Sequence, residues 1–193
     1  MFKLSRRIIS VGLSAGFILL IIIFVIIQQF RKPEDTTTVF NKGVDLFVER
    51  VVDGDTFVLS TGEKVRLLGI DTPEKYESKK LNKDAEMSGQ DKKTIKKLGM
   101  LASDYVKGFV EGKKVRLEKE PNYDDKDRYG RLLRYIYLED GTFVNGKIIR
   151  DGYAQVYEKY PISKLDELRK YQREARENQR GLWGKVEGLE QFK

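Results

Sequence analysis

The sequence predicts an α+β protein in which a five-stranded OB-type Greek-key β-barrel with three helices follows an N-terminal transmembrane helix. Three observations lead to this prediction. A long uncharged run opens the chain, five short apolar segments lie between turn dipeptides, and three later stretches carry apolar residues at helical spacing. We therefore divide the 193 residues into a membrane anchor (or signal segment) at 1–28, a polar tether at 29–45 and an OB-fold domain at 46–193.

The uncharged run, IISVGLSAGFILLIIIFVII at residues 8–27, has the length that a helix needs to cross a bilayer. No small-residue cleavage site follows it, which favours a retained anchor over a cleaved signal peptide; a buried core helix is a third reading. Lys3, Arg6 and Arg7 precede the run and predict a cytoplasmic N-terminus. The domain is then membrane-anchored on the extracytoplasmic side, or secreted if the segment is cleaved.

The strands are predicted from the alternating segment LFVERVVDGDTFVLSTGEKVRLLGID. Asp53-Gly54 is a hairpin dipeptide and Thr61-Gly62 marks a second turn, which places strands at about 46–52, 56–60 and 63–70. KKVRLEKE and LLRYIYLED supply two more strands. Five strands interrupted by a helix match a small Greek-key barrel of the type that binds nucleic acids or sugars.

The helices are predicted from apolar periodicity and stop signals. Residues 75–93 have almost no apolar side chains and predict a mobile surface loop. A helical pattern then runs from Thr94 to Gly112, and FVNGKIIRDG suggests a short second helix. The third begins at the N-cap Ser163, with Asp166 in the capping-box position, and ends near Gly181.

The composition restricts the chemistry that the chain can perform. Cysteine and histidine are both absent, which excludes thiolate nucleophiles, the usual zinc ligands and Ser-His pairs. Five Lys and Arg but no acid precede Glu34, so residues 34–193 carry +2 of the total charge of +7. A domain so nearly neutral must contact phosphate through a few placed cations rather than a broad basic surface.

Acidic residues gather around the first hairpin and the end of the third strand. Asp55, Asp71 and Glu74 are predicted to meet near one rim of the barrel, where all-oxygen ligands favour Ca²⁺ or Mg²⁺. Flexible mixed ligands, with the Thr72 carbonyl among them, lean towards Ca²⁺. Arg66 and Asp71 would face opposite sides of a regular strand, so a common site requires a break in pairing at Gly69 or Ile70.

Cations suited to a phosphodiester lie in DRYGR, which supplies Arg128 and Arg131 beside Tyr129. A guanidinium donates two parallel hydrogen bonds to two phosphate oxygens. With a metal ion alongside, and with Glu74 orienting and deprotonating a water molecule, these residues make a site for phosphodiester hydrolysis without histidine.

Five motifs together resemble the staphylococcal nuclease (thermonuclease) family. VVDGDTFVL, VRLLGIDTPE, DRYGR, VNGKIIRDGYA and ENQRGLW occur in the family's order over roughly residues 46–184, which makes 46–193 a nuclease-like domain. The resemblance implies calcium bound by Asp55, Asp71 and the Thr72 carbonyl, with Glu74 near the ion through water. It also implies roles at the substrate: Arg66 and Arg131 on the scissile phosphate, Glu74 as general base, and Arg128, Tyr129, Tyr157 and Tyr160 on the nucleotide.

The function predicted on this basis is calcium-dependent hydrolysis of DNA and RNA with little sequence preference, by a protein that reaches the membrane through residues 8–27 and implies no obligate protein partner. A non-catalytic nucleic-acid or protein binding module on the same fold is the main alternative. Such modules lack one of the two arginines or the glutamate, and this chain has all three. A membrane-tethered adaptor is a third alternative, without positive support in the sequence.

Overall fold

Turn dipeptides and capping residues divide the described part of the chain into short strands and four helices. The computed structural model describes residues 45–121 and 123–186. The strands are β1 (Val48–Asp53), β2 (Thr56–Leu59), β3 (Lys64–Leu67), β4 (Ile70–Asp71), β5 (Val115–Glu118), β6 (Leu132–Leu138) and β7 (Gln155–Val156). The helices are α1 (Lys79–Ser88), α2 (Lys92–Val110), α3 (Val144–Arg150) and α4 (Leu165–Glu177), and a 3₁₀ turn spans Gly181–Trp183.

Five of the strands form one mixed sheet in the order β1-β2-β3-β6-β5. Neighbours run antiparallel except β3 and β6, which are parallel, with Val65 opposite Leu132. An isolated antiparallel bridge joins Phe47 to Lys114 beside the two outer strands. The five predicted strands are therefore present in one mixed sheet, and the N–H groups of Val48 and Val115 donate to the carbonyls of Lys113 and Leu46 at 3.0 Å and 2.8 Å between its outer strands. The closure of the predicted OB-type barrel stays a prediction.

The chain leaves the five-stranded sheet soon after β3. β3 ends at Leu67, and Gly69 takes the left-handed backbone conformation with φ of +74°. The chain then forms β4, which pairs with β7 in a separate two-stranded sheet, Ile70 opposite Val156. The break in pairing predicted at Gly69 or Ile70 is confirmed.

The small β4·β7 sheet is held from two sides. The Tyr157 N–H donates to the Gly69 carbonyl at 2.9 Å, which fixes the end of β7 to the turn before β4. The Val156 N–H donates to the side chain of Gln172 on α4 at 2.7 Å. The position of β4 therefore depends on α4 as well as on its own short pairing.

Helix α2 packs into the interior with residues that recur every four positions: Val106 and Val110 join the core of the sheet, and Leu98 and Ala102 pack in a cluster with Leu182. Leu98, Ala102, Val106 and Val110 are all completely buried, as expected for one face of an amphipathic helix. Burying a side chain of the size of leucine or valine contributes about 1.5 to 3 kcal/mol. The helix predicted from Thr94 is thus present, and it begins two residues earlier, after the N-cap Asp91.

The predicted mobile loop at 75–93 is wrong, because most of it is helical. α1 begins after Ser78, whose hydroxyl oxygen accepts a hydrogen bond from the Leu81 N–H at 2.9 Å. It ends at Gly89, which has a φ of +69°. Leu81 is completely buried. Two caps and one buried anchor stabilise a helix whose remaining side chains are too polar for a periodic apolar pattern.

The predicted start of the last helix is also wrong. α4 begins at Leu165, after Lys164, and no side chain caps it. Ser163 instead donates its hydroxyl hydrogen to Glu120 Oε2 at 2.9 Å, and its N–H donates to the same oxygen at 3.0 Å. Glu120 is buried, and the pairing with Ser163 satisfies a carboxylate that would otherwise be costly there.

The predicted anchor at residues 1–28 lies outside the described residues, as do residues 29–44 of the tether. Between residues 45 and 186, leaving out 122, no helix has both the length and the apolar character needed to cross a bilayer. The predicted division of the chain into anchor, tether and domain stays a prediction.

Candidate active site

The hairpin between β1 and β2 meets the end of β4 through Asp55. Asp55 is buried, and its Oδ2 accepts hydrogen bonds from the Thr72 N–H and from the Thr72 hydroxyl, each at 3.2 Å. A Cβ on Gly54 would lie 2.6 Å from Thr72 Cγ2, so this close approach requires glycine. The Asp53-Gly54 dipeptide therefore does more than make the turn, because it lets the hairpin touch the strand end.

Arg66 links the carboxylates of Asp55 and Asp71, which come from the first hairpin and from β4. Its Nη1 lies 2.6 Å from Asp55 Oδ2, and its Nη2 lies 3.1 Å from Asp71 Oδ1. The Nη1 atom is buried, and although it is ion-paired it has no hydrogen-bond acceptor in good geometry. The break at Gly69 is what allows Arg66 and Asp71 to meet.

The predicted ligands Asp71, Thr72 and Glu74 converge on a cation that the sequence analysis did not identify. Lys80 Nζ, on α1, lies 3.3 Å from Asp71 Oδ2, 3.1 Å from the Thr72 carbonyl and 3.2 Å from Glu74 Oε1. The same ammonium is 3.2 Å from Asp84 Oδ2, one helical turn further on. The three predicted ligand oxygens thus face one common point, which carries a positive charge.

Asp55, the fourth predicted ligand, is turned towards Arg66 and Thr72 rather than towards that point. In the part of the chain that the structure describes, no group of three or more carboxylates stands ready to hold a metal ion. The donor set is nevertheless all oxygen and already surrounds a cation, which is the chemistry that a hard ion such as Ca²⁺ requires. The residues therefore fit calcium, on the condition that the Lys80 ammonium moves.

Burial and neighbouring charges divide the acids into two kinds. Burial raises the pKa of Asp71 to about 6, and the charge of Asp55 adds to the effect, against the opposing influence of Lys80 and Arg66. Burial and the charge of Asp55 also raise the pKa of Asp53 to about 7. Burial of Asp55 works in the same direction, but the charges of Arg66 and Lys80 and hydrogen bonds with Asp53 and Thr72 together outweigh it and hold the pKa of Asp55 below its usual value. Asp55 therefore has a lowered pKa, whereas the raised pKa values of Asp53 and Asp71 are about 7 and about 6.

Lys80 remains charged in this environment. Burial disfavours its ammonium, but Asp71, Glu74 and Asp84 outweigh that penalty and raise the pKa of Lys80. Its side chain is 34% exposed, so solvent reaches it from one side.

Arg131 reaches the same site from the loop before β6. Its Nη1 donates to Thr56 Oγ1 at 3.3 Å, and that hydroxyl donates to Asp55 Oδ1 at 3.1 Å. Asp127 positions the guanidinium: Asp127 Oδ2 accepts from Arg131 Nε at 2.8 Å and lies 2.7 Å from Nη2. Arg66 and Arg131 therefore both contact the Asp55–Thr56 edge.

The predicted nucleotide contacts lie nearby at the surface. Tyr129 is 68% exposed, and the guanidinium groups of Arg128 and Arg131 lie 4.8 Å and 5.5 Å from the centre of its ring. The rings of Tyr157 and Tyr160 are 6.2 Å apart, and both are partly exposed. All three tyrosine side chains therefore present aromatic surface to solvent.

Sequence analysis missed three residues at this site. Lys80 was missed because its segment was interpreted as a loop. Asp127 precedes the Tyr129-Gly130 turn and accepts from the Tyr129 N–H at 2.9 Å; an acid at the start of a glycine turn is the signal that could have identified it. Tyr123 packs edge-to-face on Tyr160 with ring centres 6.3 Å apart and has no distinctive local motif.

The sequence of the chain is similar to a known family and to several known proteins. The sequence profile of staphylococcal nuclease homologues matches residues 64–185. A thermonuclease from Staphylococcus intermedius is 33% identical over 175 residues, which cover 86% of this chain and 94% of that protein. An uncharacterized endonuclease from Escherichia coli is 36% identical over 139 residues, 70% of this chain and 74% of the relative. Endonuclease YhcR of Bacillus subtilis is 32% identical over 151 residues, 74% of this chain but only 12% of that much longer protein.

Proposed function

The chain belongs to the staphylococcal nuclease family, and from this premise we propose that it is a calcium-dependent nuclease that hydrolyses DNA and RNA with little sequence preference. The observation that carries the proposal is the placement of Arg66 and Arg131 on either side of one buried acidic edge, with the Glu74 carboxylate beside it. The binding modules weighed against this function would lack one of these three groups.

The two guanidinium groups hold the phosphate. Each can donate paired hydrogen bonds to two of its oxygens, and charge that develops on those oxygens during attack strengthens the bonds. Arg66 is fixed by Asp55 and Asp71, and Arg131 by Asp127 and Thr56. Both are therefore oriented before substrate arrives, which lowers the cost of reaching the productive geometry.

Glu74 orients and deprotonates the attacking water. Its Oε2 accepts from the Ser78 hydroxyl at 3.3 Å, and its side chain is 28% exposed, so water can reach the carboxylate. Asp71, the Thr72 carbonyl and Glu74 are the groups that would hold calcium, with Asp55 as a further ligand. A bound calcium ion supplies positive charge that stabilises the phosphate oxygens.

Sequence tolerance follows from the kinds of contact available. Arg128 is a phosphate contact, and Tyr129, Tyr157 and Tyr160 offer aromatic faces on which any base can stack. Binding through phosphates weakens as salt concentration rises.

The N-terminal segment supports a proposal about location. We propose that residues 1–28 keep the nuclease domain, 46–193, on the extracytoplasmic side of a membrane through the span at 8–27, or release it there if the segment is cleaved. The uncharged length of that span and the cations before it support the proposal.

The test is a cleavage assay on the full chain with plasmid DNA and with RNA, first with calcium and then with excess chelator. We expect cleavage with calcium, loss in chelator and recovery when calcium is restored. The Arg66→Ala, Arg131→Ala double variant, prepared identically, controls for contaminating nucleases. Cleavage that survives chelation would reject the calcium requirement, and binding without cleavage would favour the non-catalytic module.

A further inference from the structure

The Lys80 ammonium stands where the proposed calcium ligands meet. Its Nζ lies within 3.3 Å of oxygen atoms from Asp71, Thr72 and Glu74, and α1 adds the Asp84 carboxylate at 3.2 Å. Calcium needs the same oxygens at about 2.3 to 2.6 Å. One ammonium and one divalent ion cannot share this point, because both need the same lone pairs and their charges repel.

Local structure holds Lys80 in this place. Ser78 caps α1 and donates its hydroxyl hydrogen to Glu74, so the start of the helix is bonded to one of the proposed ligand residues. Leu81, the next residue after Lys80, is completely buried and fixes the helix against the domain. The ammonium therefore reaches the acids from a fixed backbone, and only its side chain has to move for it to leave.

Space for that movement lies beside the site. A cavity of about 340 Å³ opens between α1 and the acidic edge, and its lining includes Asp71, Lys80, Asp84 and Met87. Met87 is 76% exposed, so the cavity communicates with solvent. The Lys80 side chain can swing into this space and keep its ammonium hydrated.

The net charge of the site favours replacement of the Lys80 ammonium by a calcium ion. The ion pairs of the site join four carboxylates, those of Asp55, Asp71, Glu74 and Asp84, to the two cations Arg66 and Lys80. Negative charge is thus in excess, and replacing one ammonium with a divalent ion brings the site closer to neutrality.

We propose that Lys80 is an internal competitor of calcium: it occupies the metal position in the ion-free protein, and calcium binds only when the ammonium leaves. This inference rests on the proposed function, because it concerns the same ligands. Helix α1, which carries Lys80, would then set the calcium concentration at which the enzyme becomes loaded.

The test measures calcium binding without reference to catalysis. Calcium chloride is titrated by calorimetry into the full chain, in mild non-ionic detergent, as wild type, Lys80→Met and Lys83→Ala. Lys80→Met keeps an unbranched side chain only one atom shorter and removes its charge. Lys83 is exposed on the same helix, so its substitution changes net charge equally without emptying the site. Thermal unfolding of each variant confirms that it is folded, and Lys80→Gln is a second, polar replacement if Lys80→Met unfolds.

We expect Lys80→Met to bind calcium about tenfold tighter or more than wild type, and Lys83→Ala to bind within about twofold of wild type. Equal or weaker calcium binding by both Lys80 variants would overturn the inference, and so would the same gain in Lys83→Ala. Calcium-dependent cleavage with no gain in Lys80→Met would leave the proposed function standing and remove the competitor. Tighter calcium binding by Lys80→Met, with no cleavage by any form of the protein, would support Lys80 as the competitor and reject the proposed nuclease function.

Discussion

Replacing Gly69 with alanine tests whether the break between β3 and β4 is built by this residue. Gly69 has a φ of +74°, and a Cβ at this position would lie 2.5 Å from both Ile162 Cδ1 and Leu168 Cδ1. Gly62 has a similar φ of +82° but has nothing within 4 Å of the same added atom. The Gly62→Ala variant is therefore a matched control that carries the backbone strain without the steric clash.

The expected losses of unfolding free energy follow from the backbone strain and the steric clash. Left-handed backbone costs a residue with a Cβ about 1 to 2 kcal/mol, and that is the whole effect expected for Gly62→Ala. Gly69→Ala adds the overpacking of a site beside the completely buried Leu168, which costs about 1 to 3 kcal/mol more. We expect a total destabilisation of about 2 to 5 kcal/mol for Gly69→Ala.

Urea unfolding followed by the fluorescence of Trp183, the single tryptophan, measures both variants at constant m-value. Gly69→Ala should also lower kcat/KM, because the same clash displaces Asp71 from Arg66. Equal destabilisation by the two substitutions would show that Ile162 and Leu168 yield freely. An unfolding free energy unchanged in Gly69→Ala would refute the reasoning altogether.

Four further predictions concern the site itself. Glu74→Gln should lower kcat about 10²- to 10⁴-fold in a cleavage assay, with DNA affinity nearly unchanged, because it removes the proposed general base. Arg131→Lys should lower kcat/KM about 100-fold, since a point charge cannot replace a planar fork. Asp127→Ala should also reduce kcat/KM, by about tenfold, because Asp127 holds the Arg131 guanidinium in place but is not itself proposed to contact substrate. Calcium affinity measured by calorimetry should fall as pH drops through about 6, because Asp71 has a raised pKa of about 6 and takes up a proton below it.

Matched controls accompany these predictions. Glu77→Gln and Arg169→Lys alter exposed ion pairs, with Lys96 and Glu158 respectively, and should leave cleavage near the wild-type rate. Loss of activity in these controls, or full activity in Glu74→Gln or Arg131→Lys, would contradict the assigned roles. A calcium affinity that is flat between pH 7 and 5 would remove Asp71 from the ligand set.

Local chemistry made much of the fold predictable. Alternation and the Asp53-Gly54 dipeptide predict the first hairpin, and the structure shows β1 and β2 there. The requirement that Arg66 and Asp71 share a site predicts the break at Gly69, because the strand period of two would otherwise separate them. These predictions depend on neighbours in sequence.

The features that sequence did not predict depend on distant partners. The parallel pairing of β3 with β6 joins Val65 to Leu132, and no periodicity reports which strands meet. Ser163 has every local mark of an N-cap, but the buried Glu120 takes both of its donors. α1 depends on its two caps and on Leu81 alone, and the place of Lys80 among the acids depends on that helix.

Mounting Arg66 and Asp71 on two different sheets has a consequence for how such an enzyme can diverge. Arg66 stands on the five-stranded sheet, whereas Asp71 stands on the two-residue β4, whose partner β7 is tied to α4 through Gln172. Substitutions that shift α4 will therefore move Asp71, the proposed calcium ligand, first, and leave Arg66, the arginine proposed to bind phosphate, in place. In related enzymes, the proposed calcium requirement and the proposed binding of the nucleic-acid backbone can therefore evolve independently of each other.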